Sequence, residues 1–167
     1  LGKAREVAKV NVDFLLPFVE EGYDVVAPEP TAAYCLKESY HKLLDKSLES
    51  GRVAANTYEL FEYLEMLEGE FKDESLGGKQ FSFHIPCHQR PLGRGEHAIN
   101  YLRRRGAEVS VVESGTCCGM AGTFGLKRGM LGYDLAQAVG EPLFEAFAES
   151  EPEQIVTESS VCGIHLK

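Results

Sequence analysis

The sequence predicts an α/β fold: a mostly parallel sheet with flanking helices, in an architecture that is repeated once along the chain. Three observations carry this expectation. Segments with strand and helix periodicity alternate from end to end, as a parallel sheet requires. The four downstream cysteines follow predicted strands closely, at the edge where such sheets bind ligands. Residues 4–28 also lie over 134–158 in order, with Ala8 on Ala138, Phe14 on Phe144 and Val25-Val26 on Ile155-Val156. Leu1 in place of an initiator Met fits a fragment that starts inside such a duplicated design.

The elements follow from local patterns. Ala4, Val7, Ala8, Val12, Leu15, Leu16 and Val19 recur at helical spacing and Gly22 ends the run, which predicts a helix over 3–21. Pro17 has no N–H to donate and should bend or split it. Tyr23 to Ala27 reads as a short strand, followed by the turn Pro28-Glu29-Pro30 and a helix from Thr31 that contains Cys35. Asn56 with Glu59 three places on has capping-box spacing, for a helix with Leu60, Leu64 and Leu67 on one face. Glu59, Glu62, Glu65 and Glu68 read as its solvated face. After the Gly77-Gly78 turn, residues 80–85 read as a strand that delivers Pro86-Cys87 at its C-terminal end. A helix over 95–105, a strand over 108–112, a helix over 130–149, a strand over 155–157 and a last helix around Cys162 complete the chain.

With 167 residues and 44% hydrophobic content, a chain of this size buries roughly 70% of the surface its unfolded form exposes and needs no disulfides. Its five cysteines are an odd number, no signal peptide is evident, and no apolar run approaches ~18 residues. The expectation is a soluble cytoplasmic chain with reduced thiols. A net charge of −9, from 17 basic and 26 acidic residues, argues against nucleic acid as a partner. Lys and Arg are absent between Arg128 and Lys167, whereas Arg90, Arg94, Arg103, Arg104 and Arg105 follow Cys87 closely. Such a basic patch would favour a negatively charged cluster or an acidic redox partner; the plainer alternative is a solubilising row.

Chemistry concentrates in Ser114-Gly115-Thr116-Cys117-Cys118-Gly119, with Cys87 thirty residues before the vicinal pair and Cys162 forty-four after it. Thiolate is the soft ligand favoured by zinc and by iron–sulfur clusters. Structural zinc sites usually separate paired ligands by two to four residues, so that two sulfurs converge on one ion. Adjacent cysteines, with Cα atoms about 3.8 Å apart and diverging side chains, suit two irons of a larger cluster better. The competing reading is a set of separately buried thiols.

The segments His84-Ile85-Pro86-Cys87-His88, Cys117-Cys118-Gly119-Met120-Ala121-Gly122-Thr123-Phe124-Gly125 and Val139-Gly140-Glu141-Pro142-Leu143-Phe144 resemble the cysteine-rich CCG domain of heterodisulfide reductase-like proteins of the B-subunit type. The likeness is strongest to the C subunit of anaerobic glycerol-3-phosphate dehydrogenase and to the iron–sulfur subunits or domains of glycolate and D-lactate oxidases. It implies a pseudo-duplicated CCG architecture: residues 1–50 as the C-terminal half of a first repeat, 51–78 as a connecting helix and turn, and 79–167 as a complete second repeat. It also implies Cys87, Cys117, Cys118 and Cys162 as ligands, with Cys35 left over from the first repeat. The heterodisulfide reductase pattern closes with Cys-x-x-Cys, whereas this chain has Ser159-Ser160-Val161-Cys162. Four thiolates suffice for a [4Fe–4S] cluster.

The implied function is an electron-transfer domain or subunit of an FAD-linked dehydrogenase. Electrons would pass from flavin towards quinone or another acceptor, at the cytoplasmic face of a membrane reached through partners. The alternative is a structural zinc domain using the same cysteines with His88 or His165. His88 and Ser159 are expected beside the cofactor, Ser159 as a weak ligand or hydrogen-bond donor, and His84 reads as structural. Gly119, Gly122 and Gly125 do not match a dinucleotide-binding pattern, and Gly119 is expected to bring backbone N–H groups close to cluster sulfur.

Overall fold

Helix α1 (Gly2–Glu20) opens the chain and buries Ala8, Val12 and Val19 on one face. The computed structural model to which it belongs describes residues 1–67, 75–93, 95–151 and 153–167. Pro17 lies inside α1 without splitting it. The helix stops where Gly22 takes φ +93° and the Tyr23 N–H donates to the Phe18 carbonyl at 3.0 Å, the closure expected of a left-handed glycine. The buried stripe is narrower than the sequence predicts, because Val7 is exposed.

The chain divides into two units, Leu1–Glu68 and Gly69–Lys167. In the first, β1 (Val25–Ala27) is followed by α2 (Pro30–Tyr34), a π-helical turn over Cys35–Ser39, α3 (Tyr40–Leu43) and α4 (Leu48–Ala55). Val12, Val19 and Val53 form its core, with Leu15, Leu36 and Tyr40 packed against them. Strand β2 (Thr57–Glu59) pairs in parallel with β1, Val25 opposite Thr57, and α5 (Leu60–Met66) follows directly.

Here the structure corrects the sequence reading. Asn56 ends α4 instead of starting the next helix, and its side-chain amide donates to the Arg52 carbonyl at 2.8 Å. The capping box lies three residues further on, where the Glu59 backbone N–H donates to the Glu62 carboxylate at 3.0 Å. The acidic positions are accordingly not a solvated face. Glu59 is 4% exposed, Glu62 is half-buried and paired with Lys37 at 2.9 Å, and Glu68 lies outside the described residues.

In the second unit, β3 (Gln80–His84), α6 (Glu96–Arg104), β4 (Glu108–Val111), α7 (Tyr133–Glu149), β5 (Gln154–Thr157) and α8 (Ser160–His165) succeed one another. The sheet is wholly parallel with order β4-β3-β5. Central β3 buries Phe81, Ser82, Phe83 and His84 in succession, as a strand covered on both faces must. Both α1–β1–α2 and α7–β5–α8 run helix, strand, short helix. Arg103 donates to the Val109 carbonyl and the Arg105 guanidinium stacks on Tyr101, so part of the basic row braces α6. Arg94 lies outside the described residues.

The loop after β4 is pressed onto α7 at Gly119. This residue has φ +82°, and a Cβ there would lie 2.1 Å from the Ala136 carbonyl oxygen. Gly122 is left-handed too, but a Cβ on it would meet nothing. Gly122→Ala should therefore cost about 1 kcal/mol from backbone strain alone. Gly119→Ala should cost more than about 3 kcal/mol, because overpacking adds to strain. Chemical denaturation of both variants checks this, and equal losses would contradict the packing role of Gly119.

Candidate metal centre

Three strands end at one edge of the β4-β3-β5 sheet, and each delivers part of a sulfur-rich site. β3 runs into Pro86-Cys87-His88, β4 leads to the loop with Cys117 and Cys118, and β5 leads to Ser159 and Cys162. Because β4 and β5 flank β3 on opposite sides, their C-terminal ends border the crevice where parallel sheets bind ligands.

The buried part of the site is a pair of sulfurs and an imidazole. Cys118 and Cys162 are each 5% exposed and share an apolar cluster with Met120, Leu143 and Phe147. Their Sγ atoms lie 3.1 Å apart, and no cysteine of the chain is in a disulfide. His84, the last residue of β3, is 2% exposed. One of its ring nitrogens and the two sulfurs all lie within 4.8 Å of one another. The His84 ring stands edge-on to Phe147, with centroids 6.4 Å apart.

The pair is electrostatically asymmetric. Hydrogen bonding with Cys162 pulls the Cys118 thiol well below the ordinary range, with help from His84 and the Met120 N–H, against the opposing effect of burial. The same contact, burial and the Cys118 charge push Cys162 up, while the Ser159 hydroxyl works in the other direction. Partial burial, then the charges of Cys117 and Cys118, raise Cys87. One sulfur of the group is thus poised as a thiolate, the form that binds metal.

The remaining predicted residues are distributed around this group. Cys87 and His88 are exposed, and Cys117 is half-buried with its Sγ accepting the Gly119 N–H at 3.3 Å. Ser159 is buried and caps α8, its Oγ accepting the Cys162 N–H at 3.5 Å. His165 donates from Nδ1 to the Cys118 carbonyl at 2.6 Å, and its Nε2 accepts from the Gln137 amide at 2.8 Å. Both nitrogens being engaged, His165 anchors the vicinal-cysteine loop and is not placed to replace a thiolate on zinc. Cys35 belongs to the other unit, half-buried against a cavity of about 450 Å³ lined also by Asn11, Leu15 and Tyr40.

Two further ties join the three loops. Arg90, next to the Cys87 segment, donates to the Thr116 carbonyl at 2.9 Å. Buried Gln89 donates to the Glu158 carboxylate, one residue before Ser159. Sequence reasoning missed these and the inward role of His84. A histidine in a strand covered on both faces was the available signal, since a buried imidazole needs a polar partner.

The donor set fits a metal or cluster. Two sulfurs and a nitrogen converge in one buried group, with two more thiols on the adjoining loops, and the buried His84 Nε2 makes no hydrogen bond of regular geometry among the described residues. The arrangement is that of a cysteine-rich domain built on a parallel sheet. Residues 81–167 match the cysteine-rich (CCG) domain family, and the chain belongs to it.

Two of the relatives it matches are named as subunits. The chain is 30% identical over 162 residues to the C subunit of anaerobic glycerol-3-phosphate dehydrogenase of Escherichia coli K12, an alignment that covers 96% of this chain and 40% of the relative. It is 30% identical over 169 residues to the glycolate oxidase iron-sulfur subunit of the same organism, covering 95% and 39%. Lactate utilization protein A of Geobacillus kaustophilus is 33% identical over 135 residues, covering 77% and 56%. The chain thus spans about 40% of the length of the first of these relatives. No solved structure matches the chain.

Two outcomes follow from the sulfur geometry. Mild oxidation of metal-free protein with a diazene oxidant, which takes up the two thiol hydrogens, should join Cys118 to Cys162. Peptide mapping reads this, and a dominant Cys117–Cys118 bridge would contradict the geometry. Because the Cys162 and Cys87 thiols are held above the ordinary value, metal must displace their protons. Affinity for Co²⁺ should therefore rise with pH across the neutral range, and a pH-independent titration would count against these thiols as ligands.

Proposed function

We propose that this chain holds an iron–sulfur cluster through Cys87, Cys117, Cys118 and Cys162 and acts as an electron-transfer domain or subunit of an FAD-linked dehydrogenase. The observation that carries the reading is the convergence of Cys118, Cys162 and His84 at the C-terminal edge of the sheet, within a cysteine-rich domain. A relative named as an iron-sulfur subunit supports iron over other metals. A [4Fe–4S] cluster is the form four cysteines suit, and when bound it exchanges single electrons.

The chain's own residues hold and shield the site. Met120, Leu143 and Phe147 exclude water around Cys118 and Cys162, which favours a centre of low polarity. The Gly119 N–H, directed at the Cys117 sulfur, stabilises negative charge there and should raise a reduction potential. Exposed Cys87 and His88 leave one side of the site accessible, as electron exchange with a partner requires.

Flavin and substrate lie on other polypeptide in this reading. The relatives' names point to glycerol 3-phosphate, glycolate or lactate as the oxidised substrate, and quinone is the proposed acceptor. Among the described residues no helix is long and apolar enough to cross a membrane; contact with one through partners is part of this proposal. Cytoplasmic residence belongs to the same proposal.

Zinc is the second reading, favoured by one observation: a histidine and two cysteines within 4.8 Å form a donor set that zinc also accepts. Anaerobic reconstitution followed by iron, sulfide and zinc analysis and EPR separates the two. The expected result is about four irons and four sulfides per chain and a signal on reduction, lost in Cys117→Ser and Cys118→Ser. Fewer than about three irons per chain, or a colourless protein with one zinc, would overturn the cluster.

A further inference from the structure

We propose that His84 is itself a ligand of the metal centre through Nε2, which gives the centre mixed sulfur and nitrogen ligation. This rests on the reading that the site holds iron. Three observations carry it. The His84 Nε2 is buried and makes no hydrogen bond of regular geometry among the described residues, a condition native structures rarely leave uncompensated, and the ring interacts with the Cys118 sulfur itself. A ring nitrogen of His84 lies within 4.8 Å of both buried sulfurs. A nitrogen and a sulfur bound to the same iron, at bond lengths of about 2.0 and 2.3 Å, lie about 3.5 Å apart, so a small movement of the ring would bring it onto the iron that binds Cys118 or Cys162.

The fold holds the ring at this place. His84 ends the central strand, its backbone registered opposite Thr157 of β5, and its ring is braced edge-on by Phe147. The other histidines of this unit are placed differently. His88 is exposed, His97 is on α6, and His165 uses both nitrogens to anchor the Cys118 loop. A neutral imidazole beside the thiolates adds a donor without adding negative charge; in two-iron clusters, two imidazoles in place of two thiolates accompany a raised potential.

The test uses anaerobically iron-loaded chain grown with ¹⁵N-histidine, reduced and measured by pulsed EPR. The expected result is a ¹⁵N coupling of directly bound strength that persists in His88→Ala and His165→Gln and disappears in His84→Gln. If His84→Gln fails to fold or to load, the other two variants decide: persistence of the coupling in both supports His84. Bound iron without a histidine coupling, or a coupling lost in His88→Ala or His165→Gln, overturns the ligand role and leaves the cluster reading intact. Absence of iron overturns both.

Discussion

The site depends on one constraint: β3 pairs in parallel with β4 and β5 at the same time. Parallel neighbours can be joined only by crossovers, so the chain must return to the same end of the sheet before each strand. The C-terminal ends of all three therefore meet at one edge, and segments far apart in sequence share a crevice. Covering β3 on both faces also obliges its run of Phe81, Ser82, Phe83 and His84 to be buried. A histidine at the end of that run points its chemistry at the crevice with little conformational freedom.

Around this frame the loops are fixed by close backbone contacts and a few polar ties. Gly119 lets the vicinal-cysteine loop rest on α7 at Ala136, and Gly140 on the helix leaves room for the Cys118 carbonyl. His165 then anchors that carbonyl. Arg90 holds the same loop from the Cys87 side, and Gln89 holds the loop before Cys162. The two buried cysteine sulfurs are thus positioned by contacts that do not involve metal, and their mutual hydrogen bond leaves Cys118 as the readier thiolate.

Much of this was legible in the sequence. Alternating periodicity located every strand of the second unit within a residue or two, and the cysteine spacing pointed to the edge where they gather. Strand β2 was not legible, because three residues are too few for periodicity and it exists only through pairing with β1. That pairing also explains why Asn56 and Glu59, correctly spaced for a capping box, serve otherwise: the helix starts one strand later, on Glu59 and Glu62. The glycines after Cys118 were visible, and so was one role of Gly119, but not the other. Gly119 does meet the Cys117 sulfur through its N–H, while its missing side chain answers to α7, a long-range contact. His84 was readable as a strand residue; that its ring would stand beside two sulfurs depends on three-dimensional placement.

In the proposed function, the C-terminal edge of the β4-β3-β5 sheet is where this cysteine-rich domain holds iron. A crystal structure of anaerobically loaded protein, with anomalous data collected at the iron edge, addresses it most directly. The expected result is an iron peak at that edge, bonded to Cys118 and Cys162. Iron density elsewhere on the chain, or an ordered crevice without iron in crystals that contain it, would contradict the account.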